Sequence, residues 1–62
     1  MQNDKEILNI KEASQFLNCS VSTIRNLIYD NRIPFHLIGN RYYFIKDNLI
    51  NWLESMSRNV NF

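Results

Sequence analysis

The sequence predicts one small α+β domain, mainly helical, built from three short helices and a two-stranded hairpin. Three observations point there. Apolar residues recur three and four apart near residues 10–17, 24–28 and 49–56, polar asparagines and a serine punctuate the first two runs, and Gly39-Asn40 separates two stretches rich in aromatic and β-branched residues. A chain of 62 residues buries only about 60% of the surface its unfolded form exposes. Its core is therefore compact, net stability is expected to be about 3–9 kcal/mol, and a deep, strained catalytic pocket has little to rest on.

In the first helix, Ile10, Ala13, Phe16 and Leu17 form one stripe opposite Lys11, Glu12, Ser14 and Gln15. Asn9 precedes it and Glu12 follows three residues later. A side-chain oxygen of Asn9 can accept a free first-turn amide while Glu12 reaches back, a capping box with Asn in place of Ser or Thr. Asn18 comes directly after Leu17, and asparagine is the commonest residue after glycine to end a helix in the left-handed conformation. Ser20 then caps a second helix, with Thr23 at its third position. "LNCS" is thus a tight turn between two helices. A steep crossing turns Ala13, Leu17, Cys19, Ile24 and Leu27 inward, and Ser14 is small where the second helix approaches. This is a helix-turn-helix pattern.

The second helix ends at Asp30-Asn31, with Asn31 a left-handed cap and Pro34 barring continuation. "PFHLIGNRYYFI" follows, two strand-like runs about a turn. Its register is open. A two-residue loop at Gly39-Asn40 puts Phe35, Leu37, Tyr42 and Phe44 on one face; a three-residue loop ending at Arg41 groups His36, Ile38, Tyr42 and Phe44 instead. The apolar count favours the first. The third helix starts near Lys46 or Asp47, whose carboxylate suits a helix N-terminus, and carries Leu49, Ile50, Trp52, Leu53 and Met56. One domain is expected over residues 1–62, with its core at about 7–55 and a tail, 56–62, that lacks a period and frays.

Cys19 is the single cysteine, so no intramolecular disulfide forms, and no second thiol or histidine cluster supplies metal-ligand spacing. Neither a metal nor a cofactor is expected, and a reducing, cytoplasmic setting fits. The N-terminal "MQNDKEILNI" lacks a basic region followed by an apolar one, and apolar runs are only a few residues long. Neither a secretion signal nor a membrane span is expected. Cys19 reads as a small core residue rather than a nucleophile, lone His36 as a half-buried packing residue, and Trp52 with its aromatic neighbours as core rather than a stacking platform. Asp47 and Glu54 supply no converging acid–base pair. The chain is expected not to be an enzyme.

Net charge is +1 and unevenly spread: residues 21–46 carry +3, through Arg25, Arg32, Arg41 and Lys46 against Asp30, while each flank sums to −1. A polyanion would be met in the middle, although a patch this small also arises from ordinary surface charge. Each helical residue turns by about 100°. Opposite Ile24, Leu27 and Ile28 lie Ser22, Asn26 and Tyr29, with Arg25 at the edge of that face. Arginine can donate in bidentate fashion to guanine, asparagine can pair with adenine, and hydroxyls hold phosphates or base edges. Arg41, expected at the hairpin tip, can enter a narrow minor groove. Arg32 and Lys46 flank the hairpin, within reach of phosphates.

The order of parts, a short leader, the helix-turn-helix, "NRIPFHLIGNRYYFI" and then "LINWL", resembles the excisionase-type branch of the MerR-like winged helix-turn-helix family over residues 7–54. The resemblance implies a small winged helix-turn-helix, three helices plus a two-stranded hairpin wing. It places Ser22, Thr23, Arg25 and Asn26 on the recognition helix and Arg41 at the wing arginine, and it favours the three-residue hairpin loop. Asn18 and Asn31 replace glycines of the family pattern. Basic residues frequent in the family at the positions of Val21, Leu37 and Tyr43 are absent, leaving Leu37 and Tyr43 as contacts for another protein. The dimerising coiled coil and effector site of larger MerR regulators are not expected in a chain this short.

The implied function is that of an excisionase. Such an accessory factor binds adjacent sites on double-stranded DNA, bends the duplex and directs an integrase toward excision of a mobile element. Neighbouring copies of itself and the integrase are the expected protein partners, with the tail at 56–62 as the place of contact. The alternative is a small transcriptional regulator using the same face. A protein-interaction module without DNA binding is a third reading, prompted by the low charge and by Leu37 and Tyr43.

Overall fold

The computed structural model describes residues 6–56. In order these form β1 (Ile7–Leu8), α1 (Ile10–Leu17), α2 (Val21–Tyr29), β2 (His36–Ile38), β3 (Arg41–Ile45) and α3 (Lys46–Met56). The three helices and the hairpin are those the sequence predicts. The sheet is larger than expected by one strand: β1 pairs antiparallel with β3, Ile7 opposite Ile45 and Leu8 opposite Phe44, giving the order β1-β3-β2. The leader thus continues the wing's sheet into the core, where Leu8 and Phe44 are both buried. Of the tail expected to fray and to contact an integrase at 56–62, Met56 closes α3, and the rest lies outside the described residues.

The first two helices are delimited by local hydrogen bonds. The Asn9 side-chain oxygen accepts from the Glu12 amide at 2.8 Å, and the Glu12 carboxylate accepts from the Asn9 amide at 2.9 Å, completing the capping box. At the other end Asn18 is left-handed (φ 60°), and the amides of Asn18 and Cys19 donate to the carbonyls of Gln15 and Ser14. The end of α2 repeats this. Asn31 is left-handed (φ 57°), with the Asn31 and Arg32 amides donating to Ile28 and Leu27. Both are Schellman closures, which satisfy carbonyls that a bare helix end leaves open. The Ser20 hydroxyl caps α2 by accepting from the Thr23 amide at 3.1 Å.

Leu8, Ala13, Ile24, Ile28, Ile33, Phe44 and Leu49 form the buried core. Ser14 is also buried where α1 meets α2, its hydroxyl donating to the Lys11 carbonyl at 2.7 Å. That internal partner lets a polar side chain sit at the helix crossing without an unsatisfied group. Trp52 on α3 packs at the core's edge and donates its indole N–H to the Arg32 carbonyl at 2.7 Å, tying α3 to the segment between α2 and the wing. Cys19 lies half-buried against the core, in the packing position read for it. His36 is exposed on β2 rather than half-buried, because the short wing strand projects beyond the core.

The hairpin takes the two-residue loop. Ile38 opposes Arg41, Leu37 opposes Tyr42 and His36 opposes Tyr43, while Gly39 (φ 52°) and Asn40 (φ 70°) both occupy the left-handed region. Positive φ at both central residues defines the type I′ turn, whose twist matches that of the flanking strands. The three-residue loop favoured by the family likeness does not form, because Asn40 tolerates the left-handed conformation and frees Arg41 to enter β3. Phe35 and Tyr42 then share a face, their rings edge-to-face with centroids 5.6 Å apart. Arg41 is consequently one residue past the tip, not at it.

Candidate nucleic-acid interface

The Ser20 cap and the Asn31 closure fix where α2 begins and ends, and burial of Ile24 and Ile28 fixes its rotation. Ser22, Thr23, Arg25, Asn26 and Tyr29 are all exposed as a result. Tyr29 is 68% exposed, too open to be a core aromatic. Thr23 also belongs to the cap, since its hydroxyl lies 2.9 Å from that of Ser20.

Arg25 and Arg41 come together. Both line one open concavity of about 280 Å³ between the start of α1, the middle of α2 and the turn end of the wing. Its remaining lining is Asn9, Ile10, Lys11, Asn40 and Tyr42. Three cationic side chains therefore face one hollow that no carboxylate lines. Among the described residues none of the three is held in an ion pair. Ser22, Thr23, Asn26 and Tyr29 lie outside this hollow, further round α2.

The other two basic residues of the middle segment are placed differently. The Lys46 ammonium is 3.4 Å from the Glu6 carboxylate and 5.0 Å from the centre of the Phe16 ring. Its charge is paired at the surface, joining Glu6, just ahead of β1, to the start of α3. Arg32 is exposed and offers its carbonyl to Trp52. Lys11 is the cation that sequence reasoning did not single out, since on the polar side of α1 it looks like any solvated lysine. Asn9, Asn40 and Tyr42 share the hollow for the same reason, that the fold brings three distant segments together.

A family model described as a helix-turn-helix domain matches residues 7–57. The chain belongs to that family. No curated protein and no solved structure matches it. The helix-turn-helix domain here has the three helices and antiparallel sheet of a small winged form, and membership makes it a domain that binds double-stranded DNA with sequence preference. Among its described residues, no group of His, Cys, Asp or Glu side chains is placed to hold a metal ion. No described helix is long and apolar enough to cross a membrane.

Proposed function

We propose that this helix-turn-helix domain is a cytoplasmic excisionase, acting as one domain that lays α2 in the major groove and sets the wing against the adjacent backbone. One observation carries the placement: Arg25 of α2 and Arg41 of the wing open onto the same hollow, so a single approach of a duplex meets both elements. On this reading Ser22, Asn26 and Tyr29 meet the groove floor, Thr23 holds the helix start, and Arg41 contacts the backbone or the narrow groove beside it. The excisionase role is supported by the order of parts across residues 7–54. It fits the size of the module, because one domain this small contacts too few bases for high specificity and gains from neighbouring copies and an integrase.

The test is a gel shift on a fragment from beside the protein's own gene, titrated with salt, together with detection of the excised-circle junction when the protein is overproduced. Stepwise retarded bands that weaken with salt, and a rise in the junction product, are expected. Repression or activation of a nearby promoter with no junction product assigns the protein instead to small transcriptional regulators. Absence of any salt-sensitive shift removes the DNA placement itself.

A further inference from the structure

We infer that Lys11, Arg25 and Arg41 form a clamp for successive phosphates of one DNA strand, so that Arg25 grips the backbone and base reading is left to Ser22, Asn26 and Tyr29. This rests on the placement of α2 proposed above and assigns a chemistry to each side chain within it.

At about 100° per residue, Tyr29, Ser22 and Asn26 stand roughly 40°, 60° and 100° round α2 from Arg25, all on one side of it. The buried Ile28 lies on the other side, at roughly −60° by the same rule. Arg25 is therefore the boundary residue between the core and the outward face. When the centre of that face points at the floor of a groove, its boundary points at the rim, where phosphates run.

The hollow that Arg25 lines is walled by the first turn of α1, carrying Lys11, and by the turn end of the wing, carrying Arg41. Base edges lie at a groove's floor, whereas the sugar-phosphate strand protrudes and is the part of a duplex that enters a concavity between two protein walls. Three cations with no lining carboxylate suit an anion. Glu12, next to Lys11, stays out of the lining, its carboxylate engaged by the Asn9 amide at 2.9 Å. Asn9 and Asn40, from α1's cap and the wing turn, also line the hollow with neutral amide groups. The Asn9 side-chain oxygen accepts from the Glu12 amide, and its NH2 is a donor suited to a phosphate oxygen.

The experiment measures affinity by fluorescence anisotropy between 50 and 200 mM salt. Wild type, Lys11→Gln, Arg25→Gln, Arg41→Gln and Asn26→Ala are compared on a duplex chosen by selection from random sequence and on a scrambled duplex. Circular dichroism confirms that each variant is folded. The clamp predicts that each cation variant flattens the slope of log K against log salt by about 0.9, so its disadvantage shrinks about 3.5-fold between the two salt concentrations. It also predicts an unchanged ratio of selected to scrambled binding for Arg25→Gln. Asn26→Ala should do the reverse, lowering the ratio and keeping the slope.

A methylphosphonate scan supplies the second readout, neutralising phosphates one at a time. Neighbouring positions on one strand should weaken wild type and cease to matter in the three cation variants. An Arg25→Gln variant that loses the selected-to-scrambled ratio with its slope intact makes Arg25 a base reader and overturns the clamp. So does a Lys11→Gln variant with the wild-type slope, or sensitive phosphates on different strands for the different cations. Wild type that binds neither duplex in a salt-dependent way fails at the earlier step, the DNA placement, and takes the clamp with it.

Discussion

The wing turn offers a sharp test of how the hairpin is held. Gly39 has φ 52°, and a Cβ built there meets nothing within 4 Å. Replacing Gly39 by alanine therefore introduces no clash, and the whole native-state penalty is backbone strain, about 1–2 kcal/mol for an L-residue in the left-handed region. Alanine also restricts the unfolded chain, which returns about 0.4–1 kcal/mol. The net loss relative to glycine is thus small. D-alanine at the same position has the mirror-image preference. It keeps the unfolded-state gain and escapes the strain, so the two enantiomers should differ by the full strain, about 1–2 kcal/mol. For a chain of this size that is a separation in Tm of about 4–16 °C, with the D-residue melting higher. The chain is short enough for chemical synthesis, and thermal melts by far-ultraviolet circular dichroism give the comparison directly. Equal melting temperatures, or a lower one for the D-residue, would refute a type I′ turn at Gly39-Asn40 and reopen the three-residue loop.

Two further outcomes follow from packing and capping. Phe44→Ala removes a side chain with no exposed surface at the centre of the core; a loss of about 3–5 kcal/mol against a total of about 3–9 should leave much of the protein unfolded at 25 °C, and a wild-type helical signal with a cooperative melt would contradict it. Asn9→Ala opens the capping box and should lower stability by about 1 kcal/mol, read as a reduced urea midpoint at unchanged slope; an unmoved midpoint would show that the box is decorative.

The parts of this fold that could be read from sequence are those whose causes are local. Asn9 with Glu12, Asn18, Ser20 and Asn31 each act on backbone groups within five residues, and each forms the contact its spacing implies. β1 was not legible, since two residues carry no period and its partner lies nearly forty positions away at Phe44–Ile45. The hairpin register divided two signals, apolar alternation and family likeness, and the tolerance of Asn40 for positive φ decided for the first. In the candidate interface the outward face of α2 was readable from helical geometry alone. Lys11 was not, because its significance comes from standing beside Arg25 and Arg41, and that proximity is made by the crossing of α1 and α2 and the return of β3. The tip position expected for Arg41 failed along with the longer loop.

The indole bond from Trp52 to the Arg32 carbonyl has a practical corollary. Since this is the chain's one tryptophan, its emission arises from a single place, the joint at which the closing helix grips the segment leading into the wing. Loosening of that joint exposes the ring and shifts its colour. The molecule thus carries an intrinsic optical gauge of whether its closing helix still holds the segment that links α2 to the wing, readable without any attached dye.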